Sequence, residues 1–347
     1  MTRLLPLLLL LAAAAASAQP QPDAVDSLAQ AFLAETGAPS VVVAVSRGGE
    51  RTVRGYGTVD GAPPDASTRY EIGSVTKTIT ALVLAEAVAR GEVTLETPVQ
   101  DLLPDSVRLA VANRPVTLVD LATHRAGFPR MPEPFTPASI LDPYADYTPA
   151  DLMAFVGLVQ PDSAGAARAY SNAGVGLLGW LLARREGVSY ADLVQQRVFG
   201  PLGMDATATS GPVAQPTSTS GTAIPAWSWT DALAGAGAVR STADDLLTYA
   251  EAVARPERAP ALAEALRLVL TPHAPSDGRG RAGLAWVLQP NDGPVTAAFH
   301  NGATFGSSSF VGVLPERDVA VVVLTNASVA PAVDALASRI LRALVAP

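Results

Sequence analysis

Two β-branched runs near the start of the chain, residues 40–46 and 50–60, are split by Arg47-Gly48-Gly49, a pattern that predicts a hairpin. Beyond them the periodicity changes. Ala, Leu and Val dominate residues 75–89, 120–126, 150–157, 174–185 and 190–199, so the middle of the chain reads as mostly helix. Strand character returns over 282–288, 296–299, 308–314 and 319–325, with turn residues Pro315-Glu316-Arg317-Asp318 between the last two. A final helix is expected over 330–345. Strands at both ends around a helical middle predict an α+β fold, in which one antiparallel sheet is assembled from the N- and C-terminal segments and flanked by helices. The expected division gives residues 23–80 and 240–347 to the sheet part and 81–239 to an inserted, mostly helical part. A cleft at their junction is the natural place for a site. The Pro-rich stretch 128–149 and the Thr/Ser/Gly/Pro-rich stretch 207–229 read as cleft-wall loops, with Phe135, Tyr144, Trp227 and Trp229 as candidate lining.

Residues 1–18 carry one positive charge at Arg3, an apolar run and the small triplet Ala16-Ser17-Ala18, the layout of a cleavable secretory leader. Its apolar run is about twelve residues, short of the roughly twenty that span a bilayer. The mature chain, 19–347, is therefore expected to be exported, periplasmic or secreted, with no membrane span. Of 347 residues 49% are hydrophobic and 16% charged, which supports a large core. Thirty-two acidic against 24 basic residues give a net charge of −8, the wrong sign for a nucleic-acid partner. Without cysteine there is no disulfide framework, thiolate metal site or thiol nucleophile. Three scattered histidines without a His-Glu-x-x-His pair offer no zinc site, so neither metal nor cofactor is expected.

Among the 24 basic residues Lys77 is the sole lysine; all the others are arginine. Arginine serves wherever a permanent charge is wanted, but it cannot lose a proton to act as a base. A lysine amine can, once desolvation or neighbouring positive charge lowers its pKa. Ser74 stands three residues earlier, on the same face of a helix start, where Oγ and Nζ meet and unpaired N–H groups favour developing negative charge. That is the layout of an activated serine nucleophile.

Gly73-Ser74-Val75-Thr76-Lys77 resembles the first motif of the serine β-lactamase and penicillin-binding-protein superfamily. Tyr170-Ser171-Asn172 matches its Tyr-x-Asn motif, and His300-Asn301-Gly302 its third, written Lys-Thr-Gly or His-x-Gly. The flanks Leu121-Ala122-Thr123-His124-Arg125-Ala126-Gly127-Phe128-Pro129, Pro201-Leu202-Gly203-Met204 and Gly237-Ala238-Val239-Arg240-Ser241-Thr242-Ala243-Asp244-Asp245 agree, so the resemblance spans nearly the whole mature chain. It is strongest to the branch of class C β-lactamases, D-alanyl-D-alanine carboxypeptidases, D-aminopeptidases and related esterases. The resemblance implies a serine hydrolase that cleaves an amide or ester through an acyl-enzyme on Ser74. Lys77 and Tyr170 share the transferred proton, and which of them is the base stays open; Tyr170 as a phenolate is one form considered. Asn172 is implied to orient Lys77 and bind the substrate amide. Ser74 and Ala303 backbone N–H groups form the oxyanion hole, and Gly302 gives the substrate close approach to the strand.

His300 departs from the lysine usual in β-lactamases of this branch. A neutral imidazole offers no dependable positive charge, so carboxylate recognition weakens and the weight moves to a peptidase or esterase acting on a small or peptidoglycan-derived substrate. Its titration is expected to appear in the pH profile. A true β-lactamase is the alternative enzyme, and a silent penicillin- or peptidoglycan-binding protein the alternative from another class. His124 reads as a structural residue and His273 as an exposed one. Gly174-Val175-Gly176-Leu177-Leu178-Gly179 fits a dinucleotide-binding string but lacks a preceding strand, so it reads as small-residue helix packing.

Overall fold

The computed structural model describes residues 22–165, 167–274, 280–290 and 296–345; the leader expected over 1–18 lies outside them. Helix α1 (Pro22–Thr36) precedes the expected hairpin, β1 (Ser40–Arg47) and β2 (Glu50–Gly57). The chain continues through β3 (Arg69–Glu71), a 3-10 turn at Gly73–Val75, α2 (Thr76–Ala89), α3 (Leu118–Ala122) and α4 (Pro149–Leu158). Next come α5 (Asn172–Glu186), α6 (Tyr190–Val194), α7 (Gly200–Leu202), β4 (Arg240–Thr242), α8 (Ala243–Ala254) and α9 (Ala263–Val269). The last elements are β5 (Arg281–Ala282), β6 (Val287–Pro290), β7 (Thr296–Ala303), β8 (Ser308–Leu314), β9 (Val319–Thr325) and α10 (Ala330–Val345).

Seven strands form one sheet in the order β2-β1-β9-β8-β7-β6-β5, and β3 pairs with β4 in a separate ribbon. The two ends of the chain meet where β1 runs antiparallel to β9, with Val42 opposite Leu324 and Arg47 opposite Val319. Both faces of the sheet are covered. Val41, Val43, Val321 and Val323 pack with Phe32 of α1 and Ile340 of α10. On the other face Val42, Ala44, Val322 and Leu324 join the larger core that contains α2, α5 and α8. Antiparallel sheets commonly leave one face to water; this one does not, which is why β1, β8 and β9 are continuous apolar runs rather than alternating ones.

Three departures from the sequence pattern have identifiable causes. The pattern names no element between residues 230 and 281, yet β4, α8 and α9 stand there; Thr242 caps α8 by accepting the Asp245 N–H at 3.2 Å. The strand expected over 282–288 is broken between β5 and β6. Leu284 N–H donates to Val269 O and Ala285 N–H to Ala122 O, each at 2.9 Å, which draws this stretch out of the ladder and onto the ends of α9 and α3. The helix expected over 190–199 is α6 followed by a wider π turn at Gln195–Phe199.

The Gly174–Gly179 string lies on α5 and acts through packing, as expected. A Cβ on Gly179 would stand 2.9 Å from the Cα of Gly235, so the helix and the 234–236 turn approach backbone to backbone. Thr80 Oγ1, on α2, donates to the Gly235 carbonyl at 2.8 Å and holds the same turn from the other side. Replacing Gly179 by Ala is expected to cost about 1–3 kcal/mol through overpacking. A melting temperature equal to that of the parent protein would show that this approach is not as tight as described.

Candidate active site

Ser74 sits in the 3-10 turn that leads into α2, half-buried among fully buried neighbours, where sequence placed it in the helix's first turn. Gly73 and Gly302 let this turn lie against β7. Gly73 has φ +46, and a Cβ there would come within 2.7 Å of Ala303 O and 2.8 Å of Ala303 N. A Cβ on Gly302 would stand 2.0 Å from the Ile72 carbonyl. The close approach at Gly302 is thus made by the chain itself, where the sequence reading reserved it for substrate. It sets Ala303 beside the nucleophile turn.

Lys77 points from α2, a helix buried on all sides, into the site. Its Nζ donates to Ala236 O at 2.6 Å and lies 3.0 Å from Ser74 Oγ. No carboxylate among the described residues accepts from it. Burial, and secondarily the Arg130 charge, hold the amine well below its usual range. Sequence reasoning missed Ala236, because a backbone carbonyl carries no signature in residue type.

The Tyr170 hydroxyl lies close enough to Ser74 to feel its hydroxyl. Lys77 Nζ and the Arg130 guanidinium each lie 5.0 Å from its ring centre. Burial nonetheless dominates and pushes the phenol up to about 12, against the lowering effects of Ser74, Arg130 and Arg168. The phenolate considered from sequence is therefore replaced by a neutral phenol. Asn172 also departs from expectation: its amide donates to Met131 Sδ at 3.3 Å, while Lys77 is oriented by Ala236.

Both site histidines are neutral, and each hydrogen bond fixes a tautomer. His300 lies 2.6 Å from the Asn301 carbonyl through Nδ1; a carbonyl only accepts, so Nδ1 carries the proton and Nε2 is left as an acceptor. Burial first, then the Lys77 charge, lowers His300 to about 3. Its expected titration near neutrality is thereby removed. His124 accepts the Ser171 N–H on Nδ1 at 3.2 Å, its carbonyl accepts the Ala169 N–H at 2.8 Å, and its ring lies 4.5 Å from that of Tyr170. The residue read as structural brackets the tyrosine, and it does so from a left-handed φ of +61. His273 is half-buried and bonded to Leu268 O at 3.0 Å.

The four loop aromatics do assemble. Tyr144 stacks on Trp229 at 3.9 Å and meets Trp227 at 5.1 Å; Phe135 lies 5.7 Å from Tyr144, and Trp227 lies 4.9 Å from Phe305. Glu71, not singled out in the sequence, ties this wall to β7. Its carboxylate accepts the Trp227 N–H at 2.6 Å and the Thr304 hydroxyl at 2.8 Å.

A beta-lactamase family model matches residues 25–345. The chain belongs to the beta-lactamase family. A beta-lactamase of Escherichia coli K12 is 27% identical over 88% of each chain. The D-alanyl-D-alanine-carboxypeptidase/endopeptidase AmpH of the same strain is also 27% identical, over 88% of this chain and 84% of its own. Among solved structures, a class C beta-lactamase from Rhodobacter sphaeroides superposes with a TM-score of 0.80 at 24% identity, covering 93% of this chain and 98% of that one. A beta-lactamase/D-alanine carboxypeptidase from Pseudomonas syringae gives the same TM-score at 23% identity, over 93% and 100%. This beta-lactamase-family protein is a serine hydrolase with the α+β fold read from its sequence. Among its described residues no helix is long and apolar enough to cross a membrane, and no group of His, Asp or Glu is arranged to hold a metal.

If the amine must be neutral to work, activity falls as pH drops through the depressed Lys77 value and again at high pH as Tyr170 ionises towards about 12. His300→Gln is expected to leave the acid limb of the kcat/KM profile in place, since His300 stays neutral down to about 3. A shift of that limb by a full unit in the variant would contradict the assignment.

Proposed function

We propose that the protein hydrolyses an amide or ester through an acyl-enzyme on Ser74, with a substrate of the kind taken by a D-alanyl-D-alanine carboxypeptidase, D-aminopeptidase or esterase. The observation that carries this reading is a buried lysine amine, without a carboxylate partner among the described residues, 3.0 Å from a serine hydroxyl. A neutral amine at that distance takes the Oγ proton as Oγ bonds to the carbonyl carbon, so Lys77 is the base. The oxyanion forms between the N–H groups of Ser74 and Ala303. Its collapse breaks the bond to the leaving group, which takes the Tyr170 hydroxyl proton, and the proton held on Lys77 restores the phenol. Water then attacks the ester carbonyl, its proton passes through the same pair to Ser74 Oγ, and the free acid departs. Asn172 binds the substrate amide.

His300 favours peptidase or esterase action over β-lactam hydrolysis. With its proton committed to Asn301 O, the imidazole presents Nε2 as an acceptor and repels a carboxylate where a lysine would attract one. The relative named D-alanyl-D-alanine-carboxypeptidase/endopeptidase supports a peptidase substrate. The relatives named beta-lactamase supply the second reading, in which water attack on the acyl-enzyme is fast. Export by the leader at 1–18 belongs to the same proposal and places the substrate outside the cytoplasm; the processed N-terminus is expected at Gln19.

Incubation with benzylpenicillin, short esters and D-amino-acid amides, followed by intact mass and product release, tests the reading. A Ser74-dependent adduct or turnover is expected, with loss of at least 10³-fold in Ser74→Ala. Slow release of a penicilloyl adduct beside fast ester or amide turnover fits the peptidase or esterase; rapid turnover of benzylpenicillin itself would move the assignment to a β-lactamase. Silence on every substrate class in a folded sample would overturn the proposal.

A further inference from the structure

Eight of the chain's arginines pair with carboxylates among the described residues. Arg51, Arg54, Arg114 and Arg197 each pair with carboxylates. Arg130 does not: among the described residues no carboxylate pairs with it, and its guanidinium lies over the face of the Tyr170 ring, 5.0 Å away. Its backbone is held firmly, since Arg130 O accepts the Asn172 N–H at 2.8 Å at the start of α5. Arg130 lines a groove of about 820 Å³ together with Tyr170, Phe128 and Phe155. Glu133 and Asp162 line the same groove, yet neither neutralises the guanidinium. The third motif supplies no positive charge, because His300 is a neutral acceptor. In a chain of net charge −8, Arg130 is a permanent cation placed at the mouth of the proposed site.

The side of the substrate that reaches it follows from the chemistry proposed above, on which this inference rests. Tyr170 hands its proton to the leaving atom, so whatever is attached to that atom extends past the tyrosine into the groove. We infer that Arg130 is the receptor for a carboxylate on the leaving group, so that the preferred substrates release an amino acid, a hydroxy acid or a related carboxylate-bearing alcohol or amine. A planar guanidinium suits a carboxylate bidentately, and the apolar walls at Phe128 and Phe155 suit the carbon skeleton between the leaving atom and the charge.

Matched esters separate this from a general effect of charge on Lys77 and Tyr170. The probes are the acetate esters of 3-hydroxybenzoate and of methyl 3-hydroxybenzoate, with a succinate ester of the methyl compound to place the charge on the acyl side. The parent protein is expected to favour the 3-hydroxybenzoate ester. Arg130→Gln should lower the ratio of kcat/KM for the charged over the neutral leaving group by tenfold or more, chiefly through KM. Arg130→Glu should invert the preference, and Arg130→Lys should restore part of it. The succinate ester should change less than threefold relative to its neutral acetate counterpart. Equal changes for both leaving groups, or a larger response to the acyl-side charge, would overturn the assignment while leaving the hydrolase reading intact. Absence of Ser74-dependent release from all three esters would instead remove the hydrolase reading, and with it the premise for Arg130. Circular dichroism and melting temperature confirm that each variant of this exposed residue is folded.

Discussion

The rest of the site depends on one buried amine. An ammonium group moved from water into a protein interior loses several kcal/mol of solvation unless it finds a counter-ion, and Lys77 has none among the described residues. Its environment therefore favours the neutral amine, which is the form that can accept a proton. What holds it is a carbonyl, Ala236 O, on a turn that α5 and α2 clasp from two sides. The apolar helix α2, the glycines of α5 and the 234–236 turn thus act together on a single nitrogen. Packing and chemistry are the same constraint here.

Around that amine the proton-handling groups rest uncharged. Tyr170 stays a phenol because burial outweighs the two arginines that face it, and His300 and His124 stay neutral because burial outweighs every hydrogen bond they make. Fixed dipoles and permanent cations then meet charge as it develops, with little reorganisation at the moment of reaction. The permanent charge near Tyr170 is carried by Arg130, over its ring, and by Arg168, rather than by the strand beside the nucleophile.

The aromatic loop cluster is knit to the nucleophile turn by Glu71. It stands three residues before Ser74, and its two oxygens take a backbone N–H from the aromatic wall and a hydroxyl from the turn after β7. Burial raises its pKa, while these donors and the Arg240 charge oppose that rise. The loop aromatics are consequently a buried cluster first, with Tyr144 and Trp227 almost wholly enclosed and Phe305 alone largely exposed beside Ala303.

Local rules made much of this legible. The hairpin β1–β2 and the strands β8 and β9 were readable because β-branched runs and turn residues act over a few positions, and α5 because its apolar pattern holds for several turns. Ser74 and Lys77 were readable because a separation of three residues on a helical turn sets their distance almost without help from the rest of the chain. Contacts between distant parts of the chain decided the remainder. The Ala236 carbonyl that orients Lys77 is 159 residues away from it. The tautomers of His124 and His300, the neutral Tyr170 and the Asn172–Met131 contact all rest on which backbone or side-chain atoms arrive nearby. The sequence by itself determined which groups can carry chemistry and which elements present them. The tertiary structure alone decided their protonation, because desolvation and hydrogen bonding are properties of the surroundings and not of the residue.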